Sequence, residues 1–126
     1  MTPIGHLAVS YLVSRGGPRL SRPACLLGGP LPDVEFVFLF MPWFNQYHRL
    51  LTHNLLFVCL VALLGAILWR RRSIITGASL LLCGALHLFV DSIMDTNPGN
   101  GIGVAWFWPF SDAVLSPFNL MQAAKR

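Results

Sequence analysis

Apolar residues run in long stretches along this chain, and the polar residues between them fall into a few short islands. Residues 3 to 14 form a first apolar stretch. It opens on Pro3 and stops at Arg15-Gly16-Gly17-Pro18, which predicts a helix with His6 in its first turn. At 1.5 Å per residue such a helix covers about 20 Å, less than the ~30 Å of a bilayer core, so it lies in the interface or packs within a bundle. Residues 23 to 44 are apolar too, but Gly28-Gly29-Pro30-Leu31-Pro32-Asp33 interrupts them. A helix to about Leu27, a turn carrying Asp33 and further apolar structure are predicted. Phe36 to Phe44 is aromatic, as suits a membrane interface.

Residues 54 to 69 and 73 to 90, sixteen and eighteen residues long, are the cleanest membrane-helix candidates, at or below the lower edge of the usual span. Arg70-Arg71-Arg72 joins them as a tight hairpin. The tail from Ile102 carries Trp106, Phe107, Trp108, Pro109 and Phe110 and is predicted to ride the membrane surface. No internal repeat is visible. The predicted fold is all-α: a small membrane-embedded helical bundle of about four main helices, some short or broken, with an aromatic interfacial C-terminal segment. Residues 1–126 make a single domain.

Composition sharpens this picture. Hydrophobic residues make up 55% and charged residues 11% of the 126 residues, against roughly 25% charged in soluble domains. The net charge of +4 comes from clumped basic residues: Arg15/Arg19/Arg22, Arg70-Arg71-Arg72 and Lys125-Arg126. No aromatic-interleaved basic stripe accompanies them, so they read as headgroup and topology charges, and nucleic acid is excluded as a partner. Cys25, Cys59 and Cys83 are odd in number and embedded in apolar runs, which makes them packing residues rather than a disulfide framework or zinc ribbon. The N-terminus has no basic region ahead of its apolar stretch and does not resemble a cleaved signal peptide.

Against this background the polar islands stand out. They read Pro32-Asp33-Val34-Glu35, His48-Arg49-Leu50-Leu51-Thr52-His53 and His87-Leu88-Phe89-Val90-Asp91. Ionisable groups beside apolar runs cost several kcal/mol each unless a partner or a metal neutralises them. Hairpin register brings some of them together: His53 lies 18 residues before Arg71 and His87 lies 16 after it. Two antiparallel helices leaving that turn bring both to nearly one height, away from the arginines. His6 and Arg15 mark the same polarity on the first helix, so the histidines gather at one pole and most arginines at the other. Arg49 is the exception.

His87 and Asp91 share one helix face, with Cβ atoms roughly 6 Å apart, and either bind one metal together or stand as ligand and supporting carboxylate. Taken singly, Asp33 reads as a turn or capping residue, His53 as an interface histidine, and Thr52 as the cap of the following helix or, second to that, a hydrogen-bond partner of a ligand. Glu35 is a ligand or a solvated rim charge. Jointly, three histidines and two or three carboxylates at one pole suffice for a catalytic zinc or for two metals about 4 Å apart. Arg49 beside them suits bidentate contact with phosphate.

These islands, together with Gly5-His6, Gly28-Gly29-Pro30-Leu31-Pro32-Asp33 and Trp108-Pro109-Phe110-Ser111, resemble in order the motifs of the membrane-bound, metal-dependent hydrolases that include LexA-regulated inner-membrane proteins. The His-Arg-x-x-Thr-His element is the most specific part, and the likeness spans nearly the whole chain. That family is distantly similar to zinc-dependent phospholipase C. The resemblance implies His6, Asp33, His53, His87 and Asp91 as metal ligands, with His48 and Arg49 nearby for acid–base work or phosphate contact. It also implies the bacterial inner membrane as the location. The family pattern Pro-Asp-x-Asp-His here reads Pro32-Asp33-Val34-Glu35-Phe36, which keeps a carboxylate and removes one possible ligand.

The leading expectation is a hydrolase using one or two divalent ions, Zn2+ or else Mn2+, on a phosphoester of a membrane lipid or lipid-linked substrate. Asp33 or Glu35 would take the proton of the attacking water and Arg49 would steady the phosphate charge. The alternative is a non-enzymatic metal-binding or ion-permeation bundle, since ionisable residues in membrane helices often line ion paths. A third is an assembly subunit whose polar islands bind only each other. The positive-inside rule places Arg70-Arg71-Arg72 in the cytoplasm and the histidine pole on the other side. Asn97 to Gly103 is Gly/Asn-rich and reads as a loop able to cover the site, while Asp95 and Asp112 stay outside the core set.

Overall fold

A computed structural model describes residues 2–47, 50–94 and 103–116. Among these residues the chain forms five α-helices and no named strand, in keeping with the all-helical expectation. Helix α1 (Pro3–Gly16) starts where Thr2 Oγ1 accepts from the Gly5 N–H at 3.2 Å, and Pro3 opens its first turn, where no N–H is needed. Helix α2 (Arg22–Gly28) stops before Pro30, and Leu31–Phe38 follow as a 3-10 helix with Pro32 near its start. One helical turn, α3 (Phe44–Tyr47), leads to α4 (Leu55–Leu68). Arg70–Arg72 make a short 3-10 turn into α5 (Ser73–Ile93).

Helix α5 is the hub against which α4 and α2 pack, with α1 touching it and lying mainly on α2. Its polarity is inverted relative to a helix in water. Thr76, Ser79, Cys83, His87 and Asp91 recur every three or four residues and are buried, while Ile74, Leu81, Leu82 and Phe89 face outward. Helix α1 repeats the pattern, with His6, Ser10 and Ser14 inside and Ile4, Leu7, Tyr11 and Leu12 outside. Polar-in, apolar-out helices are what a hydrocarbon solvent selects, because the exterior then has nothing to hydrogen-bond. The true apolar core is correspondingly small: Ala24, Ala62 and Leu80 in one cluster, Val58, Leu88 and Val104 in another. Close approach of α4 to α5 depends on Gly84, where a Cβ would stand 2.7 Å from Val58 Cγ1.

Three local expectations are revised. Helix α5 runs three residues past position 90 to Ile93, because Asp91 lies on its buried face and does not end it; Arg70–Ile93 is 24 residues with mean hydropathy 1.9, long and apolar enough to cross a bilayer. By contrast α4, at 14 residues, stays short of a span. The cap of α4 is Asn54 rather than Thr52: Asn54 Oδ1 accepts from the Phe57 N–H at 2.7 Å, and its amide donates to the carbonyls of Leu50 and Leu51. Finally, the described part of the tail does not only ride the surface. Val104 and Ala105 are buried, Val104 pairs with Leu115 in an antiparallel bridge, and the Trp106 carbonyl accepts from the Leu55 N–H. Phe107 and Phe110 remain exposed.

Asn54→Ala is expected to cost about 1–2 kcal/mol, since it removes a cap and strands two carbonyls. Asn54→Asp, which keeps the acceptor, should recover part of that loss in a thermal unfolding series.

Candidate metal centre

Four side chains from three elements meet at the end of the bundle opposite Arg70–Arg72. Asp33 comes from the 3-10 helix, His53 from the segment just before α4, and His87 and Asp91 from successive turns of α5. All four are buried, and one ligand atom from each lies within 4.8 Å of the others. His53 Nε2 is 3.1 Å from His87 Nε2, 3.2 Å from Asp33 Oδ1 and 3.4 Å from Asp91 Oδ2. His87 Nε2 is 3.6 Å from Asp33 Oδ1 and 3.4 Å from Asp91 Oδ2. Ligands about 2.0–2.1 Å from a tetrahedral zinc stand roughly 3.3 Å apart, so these separations are those of a coordination shell.

The outer contacts settle which nitrogen points inward. His87 Nδ1 lies 2.7 Å from the Gly29 carbonyl, which only accepts, so Nδ1 carries the proton. His53 Nδ1 lies 3.1 Å from Glu35 Oε1 and 3.2 Å from Thr52 Oγ1. Thr52 spends its own proton on the Pro32 carbonyl at 2.6 Å, so toward His53 it accepts. Both Nδ1 positions are therefore donors, and neutral rings turn two Nε2 lone pairs toward each other and toward two carboxylates. Lone pairs and carboxylates facing one another in this way are relieved by a proton on His53 Nε2, which then donates to His87 Nε2 or Asp33, or by a metal ion in its place. Burial disfavours charge on His53, yet the carboxylates of Asp33, Asp91 and Glu35 outweigh it and push the pKa up to about 10. The field that holds a proton there also draws a divalent ion.

Asp33 Oδ2 supplies the second mark of a metal site, being buried without a hydrogen-bond partner among the described residues. An unpaired buried carboxylate oxygen costs several kcal/mol in a low-dielectric interior. The donor set of two imidazoles and two carboxylates suits zinc or manganese, and on both counts the residues fit a divalent metal.

The remaining predicted site residues fall around this centre. His6 stacks on His87, ring centroids 3.5 Å apart, and its Nε2 lies 3.0 Å from Asp91 Oδ1, beside the four-residue cluster rather than within it. Asp91 thus bridges His6 to the two central histidines. Glu35 reaches the outer nitrogen of His53 and is buried, which makes it an orienting carboxylate. His48, Arg49, Asp95 and most of the Asn97–Gly103 loop lie outside the described residues. Asp112 is exposed.

Sequence reading missed one contributor and ranked another second, preferring a capping role for Thr52 over its hydrogen bond to a ligand. Gly29 acts through its carbonyl, which no side-chain motif reports. Thr52 ties Pro32 to His53, and its only signal was the spacing within His48-Arg49-Leu50-Leu51-Thr52-His53. Glu35→Gln is expected to weaken metal binding about 10- to 100-fold, the usual effect of losing a supporting carboxylate. An unchanged dissociation constant by competition with a chelating dye would remove Glu35 from that role.

The class is now defined: a small membrane bundle, apolar outside and polar within, enclosing a His/Asp cluster able to hold a metal ion. The chain belongs to the YdjM inner membrane protein family, whose model matches residues 1–124. It is similar to inner membrane protein YbcI of Escherichia coli (strain K12), 32% identical over 135 residues that cover 98% of this chain and 76% of that protein. No solved structure matches it.

Proposed function

We propose that this protein is a metal-dependent hydrolase that cleaves a phosphoester of a lipid or lipid-linked substrate at the membrane. The observation that carries the reading is the shell formed by Asp33, His53, His87 and Asp91, with Asp33 Oδ2 unpartnered among the described residues. A zinc or manganese ion bound there supplies a water of lowered pKa and polarises the phosphoryl oxygen. Asp33 Oδ2, buried without a hydrogen-bond partner among the described residues, would take the proton of the attacking water as the water oxygen bonds to phosphorus. Arg49, four residues before His53, pairs with the phosphate, and His48 returns a proton to the alcohol released when the P–O ester bond breaks. Glu35 and the Gly29 carbonyl hold the two imidazoles in place throughout. With Arg70–Arg72 in the cytoplasm, this centre faces the opposite side of the membrane.

Helix polarity supports a lipid substrate, because a bundle with so apolar an exterior meets acyl chains on every side. The ion-permeation alternative fits less well. Both imidazoles are pinned through their outer nitrogens, as in a resident site rather than a transit one.

The test is release of phosphate or of a headgroup from phosphatidic acid, phosphatidylglycerol and polyprenyl phosphate vesicles by the zinc- or manganese-loaded protein. Metal-dependent turnover, absent in Asp33→Asn, is expected. Arg49→Ala should keep the metal and lower kcat by about a hundredfold or more, the scale of one lost charge-stabilising donor. A fully loaded protein that turns over none of these lipids would favour the metal-binding or permeation bundle instead.

A further inference from the structure

A second feature lies toward the arginine pole and plays no part in the metal centre. Between α2, α4 and α5 an apolar groove of about 210 Å³ is walled by Ala24, Leu27, Val61, Leu64, Leu80 and Trp69. A dry apolar cavity of roughly 150 Å³ already takes a small hydrocarbon, and this one opens sideways between exposed Leu27 and Leu64. A separate cavity of only about 10 Å³, lined by Gly28, Pro32, Val58 and Gly84, shares Leu31, Val61 and Leu80 with it. None of Asp33, His53, His87 and Asp91 lines either space.

The other end is cationic. Ser21 and Trp69 line it, and their chain neighbours Arg22 and Arg70 are exposed, with Arg19 and Arg71 nearby in sequence. Among the described residues none of these arginines makes an ion pair, and Asp33, Glu35 and Asp91 are all committed at the opposite pole. Apolar walls, a tryptophan at the rim and unneutralised guanidinium groups beside it match one ligand chemistry in all its parts.

We propose that this groove binds an anionic phospholipid, its acyl chain between α2, α4 and α5 and its headgroup phosphate on Arg22 and Arg70. The site is separate from the metal centre and does not depend on the hydrolase reading.

Trp69 reports on it directly. In a variant with Trp43, Trp106 and Trp108 changed to Phe, Trp69 fluorescence is followed in vesicles containing brominated phosphatidylglycerol or brominated phosphatidylcholine. The phosphatidylglycerol is expected to quench with a relative binding constant about tenfold higher, as two arginines near a headgroup imply. Arg22→Gln with Arg70→Gln should bring the two lipids to parity. Leu27→Phe with Leu64→Phe, which fills the groove from its lipid-facing rim without touching the core, should reduce quenching by both. Equal quenching of the starting variant by both lipids would overturn the proposal, as would a preference that survives loss of both arginines. Protection of Trp69 from both lipids in a protein that sediments as a dimer would assign the groove to a second copy instead.

Discussion

His87→Ala and Asp91→Ala are each expected to empty the metal centre while leaving the bundle folded. Wild-type protein purified in detergent should carry about one equivalent of zinc or manganese by elemental analysis, and each variant less than about a tenth of that. The effect is large because each substitution removes short edges of a compact shell: His87 those to His53, Asp33 and Asp91, and Asp91 those to both imidazoles. Asp91→Asn is the sharper version, since it preserves shape and a contact with His6 while removing the charge. Helical content should stay unchanged, because α5 continues through these positions and its apolar contacts with α2 and α4 at Ala24, Ala62 and Leu80 do not involve them. Full stoichiometry in both alanine variants would dismantle the ligand set.

The same site sets the pH behaviour of loading. His53, with its pKa of about 10 against an ordinary 6.5, carries a proton in the metal-free protein at neutral pH. That proton stabilises the metal-free fold fully below about pH 6.5, and the stabilisation fades as pH rises through 10. Metal must displace it, so uptake near neutrality should release a proton and apparent affinity should rise with pH over that window. Calorimetry in buffers of different ionisation enthalpy measures the proton count. A count of zero would mean that His53 is neutral before metal arrives.

Gly29→Ala is expected to damage fold and site together. A Cβ at this position would stand 2.0 Å from Ser10 Oγ, 2.8 Å from Ser10 Cβ and 2.9 Å from the His6 carbonyl oxygen. The hydroxyl can turn away, but the carbonyl belongs to the backbone of α1 and cannot, so α1 must move off α2. Overpacking of this kind costs about 1–3 kcal/mol. The displaced residue is also the one whose carbonyl holds His87 Nδ1, and His6 rides on the helix that moves. Metal affinity should therefore fall at least about tenfold along with the unfolding midpoint. Ser10→Ala in the same background removes only the first contact and should restore part of the stability and little of the affinity. Unchanged affinity in a destabilised Gly29→Ala protein would show that His87 is oriented by something other than this carbonyl.

Much of the site was legible because it rests on local rules. The hairpin at Arg70–Arg72 and the count of residues on either side place His53 and His87 at one height, and their Nε2 atoms lie 3.1 Å apart. Spacing of four along one helix puts Asp91 under His87. What the sequence left open lies mostly after helix breaks. Thr52 and Asn54 are both good capping residues two positions apart, and only the buried contact of Thr52 with Pro32 leaves the cap to Asn54. Glu35 is as compatible with a solvated rim as with a buried role until Leu31–Phe38 folds as a 3-10 helix and presents it to His53.

By itself, then, the sequence determined the main helices, the shared helix face of His87 and Asp91, and the shared pole of the histidines. Those properties follow from residue period, apolar run length and fixed rise per residue, which act within one element or across one tight turn. The tertiary structure alone decided that Asp33 joins the two imidazoles, that Glu35 and the Gly29 carbonyl fix their tautomers, and that His6 stacks on His87 beside the cluster. Those depend on the angle at which α2 and the Pro-broken 3-10 segment meet α5. Close contact of Gly28 with Leu80 and Cys83 of α5 sets that angle, packing that no local pattern encodes.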